Sequence, residues 1–356
     1  MTALAPAEVE APPAPAALGD VRAVRLRLRR SSVVVSFVLL GLATALFGLS
    51  LAVGDFPLSL GEVVRSLTGR GTRATDFIIY ELRLPRVVTG LLVGFAFGVA
   101  GAIFQSMIRN PLASPDIIGI TSGASASAVI AILALGLSGF AVSAFAFVGA
   151  LVTAAAIYLL AWRQGIAGYR LVLVGIGVAA VLDSVINYQM TRAAVFDAQV
   201  ALRWLTGSLN GSSSSELLPL ALLVAVVVPI TLWAATSLTG LQLGDDTAKS
   251  IGIRVERSRL TLILFAVTLV AVATAAAGPI AFVAFVSGPI ARRLTNGTGI
   301  ALIPAGLVGC CVVCAADFAG QHLLPVQLPV GVLTAAVGAP YLLYLLVVSN
   351  RVGSGG

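Results

Sequence analysis

Ten apolar segments, separated by short polar connections, constrain this chain more than any other feature of its sequence. A helix needs about 20 apolar residues to cross the hydrocarbon core of a membrane. With 58% hydrophobic and only 10% charged residues, the chain has too little polar surface for a soluble domain of this size. We therefore predict an all-α polytopic membrane protein with about ten transmembrane helices. The predicted spans are Ser32–Val53, Val87–Met107, Ile117–Leu137, Phe140–Trp162, Leu171–Met190, Leu217–Leu238, Leu260–Ala277, Pro279–Leu294, Ile300–Phe318 and Val330–Val348.

The basic residues of the connections predict the orientation of these spans. Connections on the side of the N-terminus hold 15 of the 22 lysines and arginines, and the opposite side holds 7. Because cytoplasmic connections are enriched in lysine and arginine, both termini are predicted to be cytoplasmic. The net charge of +7 is thus a topology signal rather than a sign of nucleic-acid binding. We divide the chain into a disordered, basic N-terminal tail (1–30), a ten-helix membrane domain (31–350) and a C-terminal tail (351–356).

The polar stretch 239–259 lies between two strongly apolar spans and contains the only lysine, Lys249. Its apolar residues are predicted to form a small knob with charged residues around it, suited to a cleft on a soluble partner. The knob residues are Leu241, Leu243, Ala248 and Ile251, and the charged residues are Asp245, Asp246, Lys249 and Arg254. The alternative is a solvated loop.

The same stretch superficially matches a phosphate-binding loop at residues 244–250. That motif requires glycine immediately before the lysine and again five residues earlier. This chain has Ala248 and Leu243 at those two positions, and no strand precedes them. We therefore predict no nucleotide site on this chain.

Glycine and proline patterns predict where helices approach or break. Gly90, Gly94 and Gly98 recur every fourth residue on span two, which favours close helix packing inside the subunit, with a dimer contact as the alternative. Gly278-Pro279 and Gly288-Pro289 bracket span eight, and each pair is predicted to interrupt the helix. Such breaks can mark a transport pathway or can be ordinary kinks.

Two further sets of residues have chemical interest. Asp116, Asp183 and Asp317 lie at or near predicted span ends, where a carboxylate can reach water, and proton coupling through them is a minor alternative. The cysteines of span nine, Cys311 and Cys314 among them, have spacing that elsewhere indicates metal or redox chemistry. Within a membrane helix we interpret them as packing residues, and we predict no metal site.

A short helix is predicted in the outward connection between spans one and two. Leu60, Val63, Val64 and Leu67 recur there at helical spacing.

Four ordered segments together resemble a known family. They are ELRLPRVVTGLLVGFAFGVAGAIFQSMIRNPLASPDIIGITSGA (81–124), LRWLTGSLNG (202–211), LQLGDDTAKSIGIRVERSR (241–259), and AGPIAFVAFVSGPIARRL (277–294) continued by ADFAGQHLLPVQLPVGVLTAAVGAPYLLYLL (316–346). They resemble the FecCD-type permease subunit of iron-siderophore and cobalamin ABC importers, with the vitamin B12 permease fold. The SGPIARRL variant is similar to the second permease of catecholate-siderophore systems.

The resemblance implies a type II ABC importer permease fold, a dimer of permeases, a cytoplasmic ATPase dimer that binds ATP and Mg²⁺, and an extracytoplasmic substrate-binding protein. This chain itself would bind no cofactor and catalyse no reaction. The expected location is the plasma membrane of a bacterium, where the chain is multi-pass and surrounded by lipid. The expected cargo is a ferric siderophore, with cobalamin or haem as alternatives. A secondary transporter driven by an ion gradient is the alternative of another class.

The resemblance also implies roles for particular residues. Arg83 and Arg86 match arginines that pair with acidic residues on the binding protein, with interfacial anchoring as the alternative. Asn110, Pro111 and Leu112 match the cytoplasmic gate. The ATPase-coupling residues are Leu241, Leu243, Gly244, Ala248, Lys249, Ile251, Gly252 and Arg254.

The chain departs from the family pattern at three places. Gly288-Pro289 stands where many relatives have Pro-His, Gly320 replaces an arginine, and Gln327 replaces a glutamate. Loss of that arginine removes one expected contact to the binding protein. Such a loss is easier to tolerate beside an intact sister subunit, so we favour a heterodimer of permeases over a homodimer.

Overall fold

The computed structural model describes residues 17–162, 168–297 and 299–353, and in these ranges every regular element is helical. The first half contains α1 (Ala17–Ala52), α2 (Leu60–Leu67), α3 (Arg73–Phe77), a π-helical turn (Ile78–Arg83), α4 (Leu84–Ile108), α5 (Ile120–Leu133), α6 (Phe140–Ala161), α7 (Gly168–Arg192) and α8 (Val195–Leu205). The second half contains α9 (Ser214–Ala234), a 3₁₀ turn (Ala235–Ser237), α10 (Leu238–Gln242), α11 (Asp245–Ser250), α12 (Val255–Ala277), α13 (Val283–Leu294), α14 (Leu302–His322) and α15 (Val330–Gly353).

Eight helical stretches within the described ranges are long and apolar enough to cross a membrane. They contain α1, α4, α6, α7, α9, α12, α14 and α15. The remaining two predicted spans, the third and the eighth, form the shorter helices α5 and α13. The all-α, polytopic fold class is therefore confirmed.

The predicted tails lie partly outside the described residues. Residues 1–16 and 354–356 are not described, whereas α1 already begins at Ala17 and α15 continues to Gly353. The helical structure thus extends into both of the segments that the sequence analysis assigns to tails.

Helix α4 lies at the centre of the bundle and packs against α12, α13 and α14. Glycines on α4 allow its backbone to approach the backbone of α14 closely. A Cβ on Gly94 would lie 2.4 Å from the carbonyl oxygen of Gly309, and one on Gly98 would lie 2.2 Å from that of Ala305. The prediction of close packing inside the subunit is confirmed, because no side chain fits between α4 and α14 at these positions.

The two Gly-Pro pairs behave differently. Helix α12 ends at Ala277, the positive φ of 70° at Gly278 then turns the chain, and α13 begins only after Phe282. The Gly288-Pro289 pair, in contrast, lies inside α13, so the predicted interruption there is wrong. Gly288 has a packing role instead, because a Cβ on it would lie 2.1 Å from Oε1 of Gln105.

The short helix between the first two spans and the packing of the cysteines agree with the predictions from the sequence. Helix α2 spans Leu60–Leu67 and begins with a capping box, in which Ser59 and Glu62 each accept a hydrogen bond from the other's backbone N–H. Cys310 and Cys311 are buried free thiols in α14, and their Sγ atoms contact the carbonyl oxygens of Leu91 and Leu39. These cysteines pack between helices.

Candidate functional site

The predicted coupling segment folds as a compact two-helix unit between α9 and α12. Helix α10 packs against α4, and α11 contacts both α10 and α12. Gly244, with φ of 101°, separates the two short helices, and Gly252, with φ of 86°, makes the turn after α11. Both conformations favour glycine, which explains why the sequence has it at these two positions.

Several contacts fix this unit to the bundle. Nη2 of Arg259, in the first turns of α12, donates a 2.8 Å hydrogen bond to Oδ1 of Asp245, at the start of α11. The backbone N–H of Ile253 donates to the carbonyl oxygen of Ala248 at 2.9 Å. The ion pair holds the start of α11 against α12, and the backbone bond closes the turn between the two helices.

The apolar residues of the segment divide into two groups. Leu243 is 62% exposed and Ile251 is 58% exposed, at opposite ends of α11. Leu241 and Ala248, in contrast, are buried inside the subunit. The predicted knob is therefore corrected: Leu241 and Ala248 anchor the segment, and only Leu243 and Ile251 can contact a partner.

Charged side chains surround this exposed pair. Lys249 and Asp246 form a loose ion pair at 3.9 Å, with the Lys249 side chain 66% exposed. Arg254 is exposed beyond the turn at Gly252. Exposed ion pairs of this kind stabilise a fold by less than about 1 kcal/mol, so these charges remain available to a partner.

The predicted gate residues lie in a turn at the same end of the bundle. Helix α4 ends at Arg109, which has a left-handed φ of 56°. Oδ1 of Asn110 then accepts a 2.9 Å hydrogen bond from the backbone N–H of Leu112, and Pro111 is exposed between them. A guanidinium nitrogen of Arg109 lies 3.8 Å from the position that a Cβ on Gly244 would occupy. The structure thus brings the gate turn beside the coupling segment.

The structure also reveals a polar cluster that the sequence analysis missed. Gln105 is buried in α4, where its Nε2 donates to the carbonyl oxygen of Phe285 at 2.9 Å. Its Oε1 accepts a 3.0 Å hydrogen bond from Arg292 of α13. A glutamine within an apolar span was the available signal, and the absence of a side chain at Gly288 makes room for it.

The two predicted docking arginines lie at the opposite end of α4. Arg83 donates hydrogen bonds to the carbonyl oxygens of Leu51 and Phe56, at 2.6 and 2.7 Å. These bonds tie the start of α4 to the end of α1 and the loop that follows it. Arg83 is therefore engaged within the subunit.

Arg86 forms a two-pronged ion pair with Asp317 of α14. Its Nε and Nη2 lie 2.9 and 2.7 Å from the two carboxylate oxygens, and its Nη1 also contacts Asn210. The side chains of Arg86 and Asp317 are only 18% and 10% exposed. The geometry gives Arg86 a structural role, and docking of a binding protein on Arg83 and Arg86 stays a prediction.

The end of the bundle that holds Arg86 also contains a cavity of about 600 Å³. Arg203, Asn210, Glu216 and Gln327 contribute polar groups to its wall. The carboxyl group of Glu216 lies at the start of α9. Gly320 is buried nearby, and a Cβ on it would lie 2.6 Å from the carbonyl oxygen of Leu328, so this chain has no room for an arginine there.

Comparison with known proteins agrees with this geometry. The chain is 41% identical over 299 residues to the ferric enterobactin transport system permease protein FepG of Escherichia coli, covering 84% of this chain and 91% of that protein. It is 42% identical over 317 residues to the achromobactin transport system permease protein CbrC of Dickeya dadantii, covering 88% and 90%.

A solved structure of a metal-chelate-type ABC transporter in an inward-facing conformation has the same fold, with a TM-score of 0.79 and 25% sequence identity. The alignment covers 87% of this chain and 98% of that one. The FecCD transport family matches residues 41–348. The chain is therefore a member of the FecCD transport family.

Proposed function

We propose that the chain is the transmembrane permease subunit of an ABC importer that moves a ferric siderophore across the plasma membrane of a bacterium. Two relatives that cover most of its length are named as permeases for ferric enterobactin and achromobactin. ATP and Mg²⁺ bind to a separate ATPase dimer, and the permease itself is not an enzyme. The favoured assembly pairs it with a non-identical sister permease, and both termini face the cytoplasm.

The exposed pair Leu243 and Ile251 is the observation that supports this proposal most directly. Both are large apolar side chains exposed by more than half, on a segment fixed to the bundle by Arg259. Exposed apolar side chains within a charged rim are typical of a protein interface. A rigid segment of this kind is suited to transmit a force, whereas a loose loop would absorb it.

The packing suggests how such a force reaches the membrane helices. Helix α10 contacts α4, α11 contacts α12, and the gate turn after α4 adjoins Gly244. Closure of the ATPase dimer displaces the coupling segment, and the displacement passes to α4, α12 and the turn of Asn110. The cytoplasmic gate then opens or closes with the state of the ATPase.

A substitution experiment tests the coupling surface. Leu243→Glu and Ile251→Glu place a carboxylate in the centre of the interface, and each is expected to weaken association with the ATPase by about tenfold or more. Leu135→Glu is the matched control, because Leu135 is 52% exposed but lies at the opposite end of the bundle. The measurements are co-purification of the ATPase and ATP-dependent uptake of a ferric siderophore into proteoliposomes of the whole complex.

Retention of the ATPase and normal uptake in both variants would contradict the coupling assignment. Uptake that persists without any ATPase would instead support a secondary transporter. Uptake of cobalamin or haem in preference to a ferric siderophore would correct the cargo and leave the mechanism unchanged.

A further inference from the structure

A pocket of about 390 Å³ lies between the end of α9 and the start of α12, beside the coupling segment. One wall comes from the last turn of α9 and the 3₁₀ turn that follows it, and the other comes from the first turns of α12. We call it the arginine pocket. Its aromatic and polar lining consists of Trp233, Thr236, Ser237, Arg254, Arg257 and Ser258.

Arg254 and Arg257 give this pocket an uncompensated positive charge. Both are exposed, and neither has an ion pair with any residue that the structure describes. The carboxylates of residues 245–256 are engaged elsewhere, in the pairs Asp245–Arg259 at 2.8 Å, Glu256–Arg259 at 4.0 Å and Asp246–Lys249 at 3.9 Å. Because a guanidinium group matches the geometry of a phosphate, the free pair of arginines is suited to bind one.

Trp233 indicates that the pocket lies at the surface of the membrane. It is 74% exposed at the end of a span, and tryptophan at such a position lies at the level of the lipid headgroups. Ile230, Val226 and Leu222 are exposed on the same side of α9, at helical spacing. At 1.5 Å per residue, Leu222 is about 16 Å from Trp233 along the helix, which is close to the thickness of one leaflet of the hydrocarbon core.

Helix α12 continues the apolar surface below the pocket. Leu260 and Leu264 are exposed one and two turns beyond Arg257, on the same side of the helix. Because α9 and α12 pack against each other and both line the pocket, their exposed apolar residues form one seam that begins at the arginines. A cationic pocket above such a seam matches a molecule with an anionic head and long apolar chains.

We propose that the arginine pocket binds the phosphate of an anionic phospholipid, with the acyl chains along the α9–α12 seam, and that the bound lipid steadies the coupling segment. The seam favours a lipid over free phosphate, which has no apolar part. Gly252 and Ile253, from the turn after α11, line the pocket opposite Thr236 and Ser237. A headgroup bound there therefore joins the two ends of the coupling segment. This steadying effect rests on the proposed function, whereas the lipid site does not.

The first experiment measures lipid binding and does not depend on transport. Native mass spectrometry of the whole complex in detergent gives the affinity for phosphatidylglycerol, which is anionic, and for phosphatidylcholine, which is zwitterionic. The wild-type complex is expected to prefer phosphatidylglycerol. Arg257→Gln should weaken its binding by about fivefold, and Arg254→Gln/Arg257→Gln by about 25-fold, with little effect on phosphatidylcholine. Arg257→Lys keeps the charge and should lose less than Arg257→Gln.

Arg30→Gln is the matched control for the loss of one positive charge. Arg30 is exposed near the start of the first span, outside the arginine pocket. It lies at the same end of the bundle, because Ser32 and Leu232 line one cavity. Its removal should leave the affinity for phosphatidylglycerol within about twofold of wild type, since an effect confined to the pocket exceeds the general attraction of basic residues to anionic lipid.

The second experiment tests the effect on coupling. ATP-dependent uptake of a ferric siderophore is measured in proteoliposomes of phosphatidylcholine with and without phosphatidylglycerol. Wild-type uptake is expected to rise with phosphatidylglycerol, and Arg257→Gln is expected to lose most of this response. Arg254 also belongs to the predicted coupling residues, so the variant of Arg257 alone is the decisive one.

The outcomes separate the lipid site from the proposed function. Equal affinity of the wild-type complex for the two lipids, or unchanged binding by Arg257→Gln, overturns the site. Inorganic phosphate that binds as tightly as phosphatidylglycerol overturns the assignment to a lipid. Arginine-dependent binding in the isolated subunit but not in the complex shows that a protein partner covers the pocket, which also overturns it.

Uptake that is insensitive to phosphatidylglycerol, with arginine-dependent binding intact, overturns the steadying of the coupling segment alone. A wild-type complex without ATP-dependent uptake in either membrane contradicts the proposed function, and the binding measurement still decides the lipid site.

Discussion

The ion pair between Arg86 and Asp317 leads to a prediction that separates a structural role from a docking role. Arg86→Met removes the guanidinium group and leaves the Asp317 carboxylate, which is only 10% exposed, without its partner. Loss of one member of a buried ion pair costs about 3–5 kcal/mol, mainly because the remaining charge is left uncompensated. We expect the free energy of unfolding to fall by this amount.

The double variant Arg86→Met/Asp317→Leu is expected to recover most of that loss. Well-packed apolar side chains often replace a buried ion pair with no loss of stability. Asn210, which also contacts Arg86, is exposed and can bond to water when the guanidinium group is removed. The recovery therefore measures the cost of the isolated carboxylate.

The assay is reversible unfolding in mixed detergent micelles, followed by helical circular dichroism, together with the affinity of the complex for its binding protein. Arg203→Met is the control, because Arg203 is an exposed arginine at the same end of the bundle, and its effect on stability should stay within about 0.5 kcal/mol. Wild-type stability of Arg86→Met would refute the structural role. Loss of affinity for the binding protein in both the single and the double variant would support docking on Arg86.

Three further perturbations give expected outcomes from local geometry. Gly98→Ala should lower the free energy of unfolding by about 1–3 kcal/mol, because the new Cβ would press on the backbone of α14. The control is Gly48→Ala, which has open space around it and should be neutral or stabilising in the same assay. Arg259→Met breaks the ion pair to Asp245, so amide hydrogen exchange of residues 245–250 should become faster and ATP-dependent uptake should fall. An unchanged exchange rate would show that other contacts hold α11. Gly252→Val should cost about 1–3 kcal/mol of local strain at φ of 86° and Gly252→Asn clearly less, measured by thermal denaturation of the purified subunit.

The sequence predicted those features that depend on local pattern. Apolar length identified most of the membrane helices, and helical spacing identified α2 with its correct ends. Four-residue glycine spacing indicated the close contact of α4 because backbone proximity depends only on the absence of a side chain. These signals are contained within one segment, so no knowledge of the partner segment was needed.

Features that depend on distant residues could not be predicted in this way. Arg86 and Asp317 are 231 residues apart in sequence, and nothing near either residue indicates the pairing. In the coupling segment, helices of five and six residues are too short for periodicity to distinguish the buried Leu241 and Ala248 from the exposed Leu243 and Ile251. Pro289 was misjudged because a proline is tolerated inside a membrane helix whose neighbours satisfy the freed backbone groups.

The backbone contact between α4 and α14 has a consequence for movement during transport. Gly94 and Gly309 exclude each other's side chains reciprocally, since a Cβ on either one would collide with the carbonyl oxygen of the other. At this contact the two backbones have no intervening side chains whose rotamers could change to permit sliding. Helices α4 and α14 are therefore expected to move as one rigid unit during transport, so that relative movement has to occur between other helices. A cross-link engineered between α4 and α14 should leave import intact, and loss of import in the cross-linked complex would show that the two helices move apart.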